Sequence, residues 1–167
     1  MSGWLLVTPL HSAAGDGGLE WAADAAFSFG LPDEPPPARQ LPTVAQVLGA
    51  FREAGCHGLP WFQLAGHEVT NHLPGCPDPT TCSSTGGLDL GEIKLGVDGA
   101  DGDEHLDLDQ SVTDIGFRKP SGDAVLGAAV ALASQSGHLL VFDDGGEHVF
   151  VVSPDDDLTH LAEHWPW

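Results

Sequence analysis

The chain has no Tyr, one Met, three Cys and only five Lys and Arg among its 167 residues. Each scarcity excludes something. Five cations against 25 carboxylates leave a formal charge of −20. A surface of that sign repels phosphate backbones and anionic bilayers, so neither nucleic acid nor a membrane is an expected partner. Phosphoryl transfer would lack its usual charge stabilisers. An odd number of Cys argues against a complete disulfide framework. No apolar run approaches the ~20 residues of a membrane span. The first fifteen residues lack a basic segment and a long apolar core, so no signal peptide is expected and the cytoplasm is the expected compartment.

What is present describes a folded chain. Apolar residues make up 41% of it, enough for a sizeable core, and the length suits a single domain over 1–167. Gly (22) and Pro (13) are abundant, which predicts short elements and many turns. Asp outnumbers Glu about two to one, and Asp prefers turns and caps to helix interiors. No Lys or Arg occurs between Glu53 and Ile93 or after Lys119. Adaptation to high salt or a coding bias with selection for solubility would produce the same acidity as a dedicated binding face.

The local patterns give an element order. Residues 4–10 read as a short strand and 11–18 as a loop. Residues 19–29 are ambiguous, with Ala favouring helix and Phe27-Ser28-Phe29 alternating like a strand. Residues 30–42 form a Pro-rich connector. Thr43 and Gln46 match a capping box, and Val44, Val47, Leu48, Phe51 and Ala54 recur at helical spacing before Gly55. Strands are predicted over 59–67, 90–97 and 111–117. They are separated by a Cys/Pro/Gly loop at 71–89 and an acidic loop at 98–109. Ser121 and Asp123 open a second helix that Gly137 closes. Leu139–Phe142 and Val149–Val152 flank Asp-Asp-Gly-Gly as a β-hairpin, apolar at every strand position, so both faces are predicted to be covered. Asp155–Asp157 offer caps for a last helix carrying Leu158 and Leu161. The closing Trp165-Pro166-Trp167 is expected to pack back on the sheet. The predicted architecture is α+β: a mainly antiparallel sheet of about five to six strands, two to three helices packed on it and the C-terminal hairpin in the centre.

Motifs for chemistry are few. His67-Glu68-Val69-Thr70-Asn71-His72 departs from the zinc-protease pattern H-E-x-x-H. The five-residue step places the two rings about 140° apart on a helix. A zinc site built from His67, His72, Cys76 and Cys82 is an alternative. It would stabilise a loop with few apolar residues, although Cys76 and Cys82 stand farther apart than zinc knuckles usually place them. A disulfide or two thiols are the simpler readings. The acidic stretch from Asp98 to Asp109 fits the EF-hand ligand order neither from Asp98 nor from Asp101. There is no G-x-S-x-G elbow and no phosphate-binding Gly loop. Cys56-His57 are adjacent, which does not place thiolate and imidazole in bonding geometry. Nine His exceed the Lys and Arg together. His148 falls in the hairpin, and His160 and His164 lie one helical turn apart. Scattered surface imidazoles are the plain reading of that distribution.

The expectation that follows is a non-catalytic, acidic protein-binding domain without a cofactor. It would cap a basic protein partner through Asp101, Asp103, Glu104, Asp107 and Asp109. In character, though in no motif, this is similar to the small acidic immunity proteins that occlude cationic toxin clefts. The alternatives are an accessory domain stabilised by a structural zinc at the Cys/His loop and an enzyme of unrecognised type.

Overall fold

The computed structural model describes residues 3–15, 17–66, 73, 88–97 and 105–167. The order is β1 (Trp4–Pro9), α1 (Leu10–Gly15), α2 (Gly18–Ala23), β2 (Phe27–Phe29), α3 (Val44–Glu53), β3 (Cys56–Pro60), β4 (Gln63–Leu64), β5 (Leu88–Val97), β6 (His105–Leu106), β7 (Val112–Arg118), α4 (Gly122–Ser136), β8 (Leu139–Asp143), β9 (His148–Val152) and α5 (Leu158–Ala162).

Seven strands form one sheet in the order β2-β9-β8-β1-β7-β5-β3, and β4 pairs with β6 in a second, two-stranded sheet. The α+β class holds, but the sheet is larger than predicted and mixed. Its four inner pairings are antiparallel, and β2–β9 and β3–β5 at the edges are parallel. Five helices are described where two to three were expected. The central strand is β1, with the hairpin β8–β9 beside it rather than at the middle. Edge pairings of this kind have no local signature. Phe27–Phe29 and Cys56–Pro60 are short, and their partners lie far along the chain.

Alternation along the strands builds two cores. Leu5, Val7, Leu139, Val141, Phe150, Val152, Ile115 and Phe117 face α3, α4 and α5 on one side. Leu140, Val149 and Val151 face Leu10 and Ala22 of α1 and α2 on the other. Both faces of the hairpin are therefore covered, as its continuous apolar pattern implied. Leu10 is fully buried, and its N–H donates to the His138 carbonyl. That anchoring turns the predicted loop after β1 into the helix α1.

The helix α3 starts where its capping box predicts. Thr43 Oγ1 accepts from Gln46 N–H at 3.2 Å, and Gln46 Oε1 accepts from Thr43 N–H at 2.9 Å. Ser121 stands at the N-cap of α4 without a side-chain cap bond. In β5 the ladder to β3 slips between His57 and Leu59, which face Asp89 and Glu92. Gly91 lies within that bulge at φ +70°, a backbone state that favours glycine. At the C-terminus, Trp165 meets Phe150 edge-on at 4.9 Å and donates from Nε1 to the Gly122 carbonyl at 3.0 Å.

Candidate functional site

Most residues singled out for chemistry, His67, His72, Cys76, Cys82, Asp101, Asp103 and Glu104, lie outside the described residues. Asp107 and Asp109 are exposed in the turn after β6. That turn seats a helix: the carbonyls of Leu108 and Gln110 accept the N–H groups of Ala45 and Val44 at the start of α3. Described carboxylates are distributed over every layer, with exposed examples on α2, α3, β5, β7, α4 and the hairpin turn.

Cys56 and His57 open β3. Neighbours in a strand point to opposite faces. Cys56 is buried in the larger core with Sγ 3.5 Å from the Ala124 carbonyl. His57 Nε2 lies 3.7 Å from Asp89 Oδ1 across the ladder. The two side chains therefore do not form a thiolate–imidazole pair.

The arrangement with most to offer a partner lies on the sheet face that carries α1 and α2, at its other half. Cross-strand register lines up Leu59, Glu92, Arg118 and Trp4 on β3, β5, β7 and β1. The next row holds Lys94, Gly116 and Leu6. Trp4 and Leu6 belong to neither core and are partly buried. Leu59 is 40% exposed, and Trp61, just beyond β3, is 43% exposed. Trp61 N–H donates to the Ile93 carbonyl at 2.8 Å, which continues the β3 ladder by one residue. Strands β3 and β1 are separated by two others, roughly 14 Å at the usual spacing. The indoles of Trp61 and Trp4 nevertheless meet edge-to-face at 5.8 Å, so they converge above β5 and β7. Beneath them Arg118 Nη1 donates to Glu92 Oε2 at 3.0 Å.

Charge balance separates this patch from the rest of the molecule. Three of the five Lys and Arg, Lys94, Arg118 and Lys119, occur on β5 and at the end of β7, alongside Asp89, Glu92 and Asp114. Cations and carboxylates are equal in number there on a chain of charge −20.

The opposite edge of the sheet carries imidazoles and aromatic rings. His148 Nδ1 lies 2.9 Å from Asp143 Oδ2, and its ring is 5.9 Å from that of Phe27 and 6.3 Å from that of Trp167. Burial alone would raise the Asp143 carboxyl. Bonds from the His148 ring and from the backbone N–H groups of His148 and Glu147 outweigh burial and hold it below its ordinary value. Phe29 stacks on Phe150 at 4.6 Å and on His164 at 4.7 Å. His160, Glu163 and His164 are all exposed, and their ligand atoms lie within 4.8 Å of one another.

Trp4, Trp61 and Glu163 go beyond the residues singled out from sequence, whereas His148, His160 and His164 stand out there as imidazoles. For the indole pair no local signal exists, because Trp4 and Trp61 are brought together by sheet order. For the histidines a signal was there: His160-Leu-Ala-Glu163-His164 reads H-x-x-E-H, the inverse of the order tested at His67. Here it lies on the five-residue α5 and the turn after it. Among the described residues no helix is long and apolar enough to cross a membrane. The chain matches no family model, no curated protein and no solved structure.

Proposed function

We propose that this chain is a non-catalytic binding domain for a basic protein, with the open half of its main sheet as the centre of the interface. The observation that carries the reading is the pairing of exposed Trp61 with part-buried Trp4 over Arg118 and Glu92. Interface centres are enriched in Trp and Arg and poor in net charge. A charge of −20 spread over the rest of the molecule steers a cationic partner inward. The indoles then desolvate at low cost, while the Arg118–Glu92 pair keeps its own hydrogen bond. The acidic stretch that holds Asp101, Asp103, Glu104, Asp107 and Asp109 supplies contacts at the rim. Its last part is tied to the same region, since β6 pairs with β4 just after Trp61. An immunity- or inhibitor-type role, in which the partner's cationic cleft is covered, is the form of this reading that the charge favours.

The test is comparative capture from the native host, using the wild type, Trp61→Ala and Lys94→Glu. A basic protein retained at low salt by the wild type and depleted by Trp61→Ala supports the proposal. With that protein purified, Trp61→Ala should weaken binding roughly thirtyfold, as expected for a hot-spot Trp. Added salt should slow association more than it speeds dissociation. A captured set that is indifferent to Trp61→Ala, or a partner of acidic charge, overturns it.

A further inference from the structure

We infer that His160, Glu163 and His164 form a surface site for a divalent transition-metal ion of the zinc class, separate from the Cys/His loop and independent of the binding function proposed above. The fold prepares the three side chains in two ways. Leu161 is 1% exposed and packs into the larger core, which sets the rotation of α5. At about 100° per residue, positions 160, 163 and 164 then share one outward face. Phe29 on the edge strand β2 provides the second constraint. Its ring stacks on His164 with a 20° interplanar angle, and His164 meets His160 edge-on at 5.2 Å. Two imidazoles and a carboxylate are thus gathered with their donor atoms within 4.8 Å of one another. A zinc ion holds nitrogen ligands at about 2.0–2.1 Å, so tetrahedral donors stand roughly 3.3 Å apart. Small rotations of exposed side chains close the difference.

The donor set selects the class of ion. Two imidazoles favour zinc, copper or nickel over calcium and magnesium, which take oxygen ligands. Three protein ligands leave at least one coordination position for water or an external group. Glu163 and His164 also follow the last helical residue, Ala162. Chelation across these three positions therefore closes one further turn at the C-terminal end of α5.

The experiment titrates chelator-stripped full-length protein with zinc by calorimetry. Wild type, His160→Ala, His164→Ala and Glu163→Gln are compared, each also with Cys76→Ser and Cys82→Ser. Because all three ligands are exposed, the variants should keep the wild-type melting curve without metal. The expected result is one ion bound in the Cys-to-Ser background, with each His substitution weakening it tenfold or more, at least the cost of losing an outer-shell partner. Cobalt bound there should give visible ligand-field bands without a thiolate charge-transfer band. Nickel should broaden the NMR signals of Phe29 and residues 159–165 ahead of others. Zinc uptake unchanged by both His substitutions, or no uptake in the Cys-to-Ser background, overturns the site.

Discussion

The indole of Trp4 lies over Gly116, close enough that a Cβ on that glycine would stand 3.1 Å from Trp4 Cζ3 and 3.3 Å from Cε3. The missing side chain leaves room for Trp4 to lean across β7 towards Trp61. Gly116→Val fills that space, and overpacking of this kind costs about 1–3 kcal/mol. A lower denaturation midpoint is expected, with a shift in tryptophan emission as the pair separates. A partner that docks on the indoles should bind Gly116→Val more weakly than wild type. Unchanged emission would show that Trp4 does not depend on the gap.

The hairpin turn is organised by one carboxylate. Asp143 Oδ1 accepts from Glu147 N–H at 2.9 Å while Oδ2 meets His148 Nδ1 at 2.9 Å. Asp143→Ala should lower stability by about 1.5–3 kcal/mol, the range for hydrogen bonds to a charged group. Its pH dependence has a defined sign. The folded-state value is lowered below 3.8, so Asp143 contributes stability that is fully present above that value and lost as pH falls through the folded one. The stability difference between wild type and Asp143→Asn should therefore be constant above about pH 4 and shrink as pH falls below it. Chemical denaturation across that range checks this.

Gly91 is expected to tolerate no side chain. A Cβ there would collide with the Arg118 carbonyl of β7, and the residue stands at φ +70°. Strain and collision add, so Gly91→Ala should cost at least about 2 kcal/mol. The same change at Gly145, where the space is open apart from Glu147 Cγ at 3.9 Å, serves as the control and should fall within about 0.5 kcal/mol of wild type.

Removing the cap of α3 with Thr43→Ala should cost about 1 kcal/mol. The effect should reach beyond the helix. Thr43 bridges Ser111, and the Pro42 carbonyl accepts from Val112 N–H at 2.8 Å. Amide exchange should therefore quicken at the start of β7 as well as in the first turn of α3.

Local patterns were legible and distant pairings were not. The capping box at Thr43 and Gln46, the apolar spacing of α3 and the two apolar runs around Asp143-Asp144-Gly145-Gly146 each carry their own signal within a few residues. Phe27-Ser28-Phe29 alternates like a strand, yet only its parallel pairing with His148–Phe150 makes it an edge of the sheet. Residues 11–18 look like a loop because of their Ser and Gly, and burial of Leu10 overrides that preference over the helix Leu10–Gly15. His160, Glu163 and His164 lie within one local H-x-x-E-H run, but Phe29 joined them only in three dimensions.

Composition alone determined the charge of −20 and therefore the kind of partner that is repelled, since long-range potential depends on the sum of charges. Periodicity determined the two longer helices and the hairpin, with a cap for the first at Thr43, because those choices depend on neighbours within a turn or a strand pair. Only the tertiary structure decided that Trp4 meets Trp61, that the charges around them balance, and that β1 is the central strand. Sheet order brings together residues distant in the chain, and the energy that selects it comes from burying two faces at once, a property of the assembled layers.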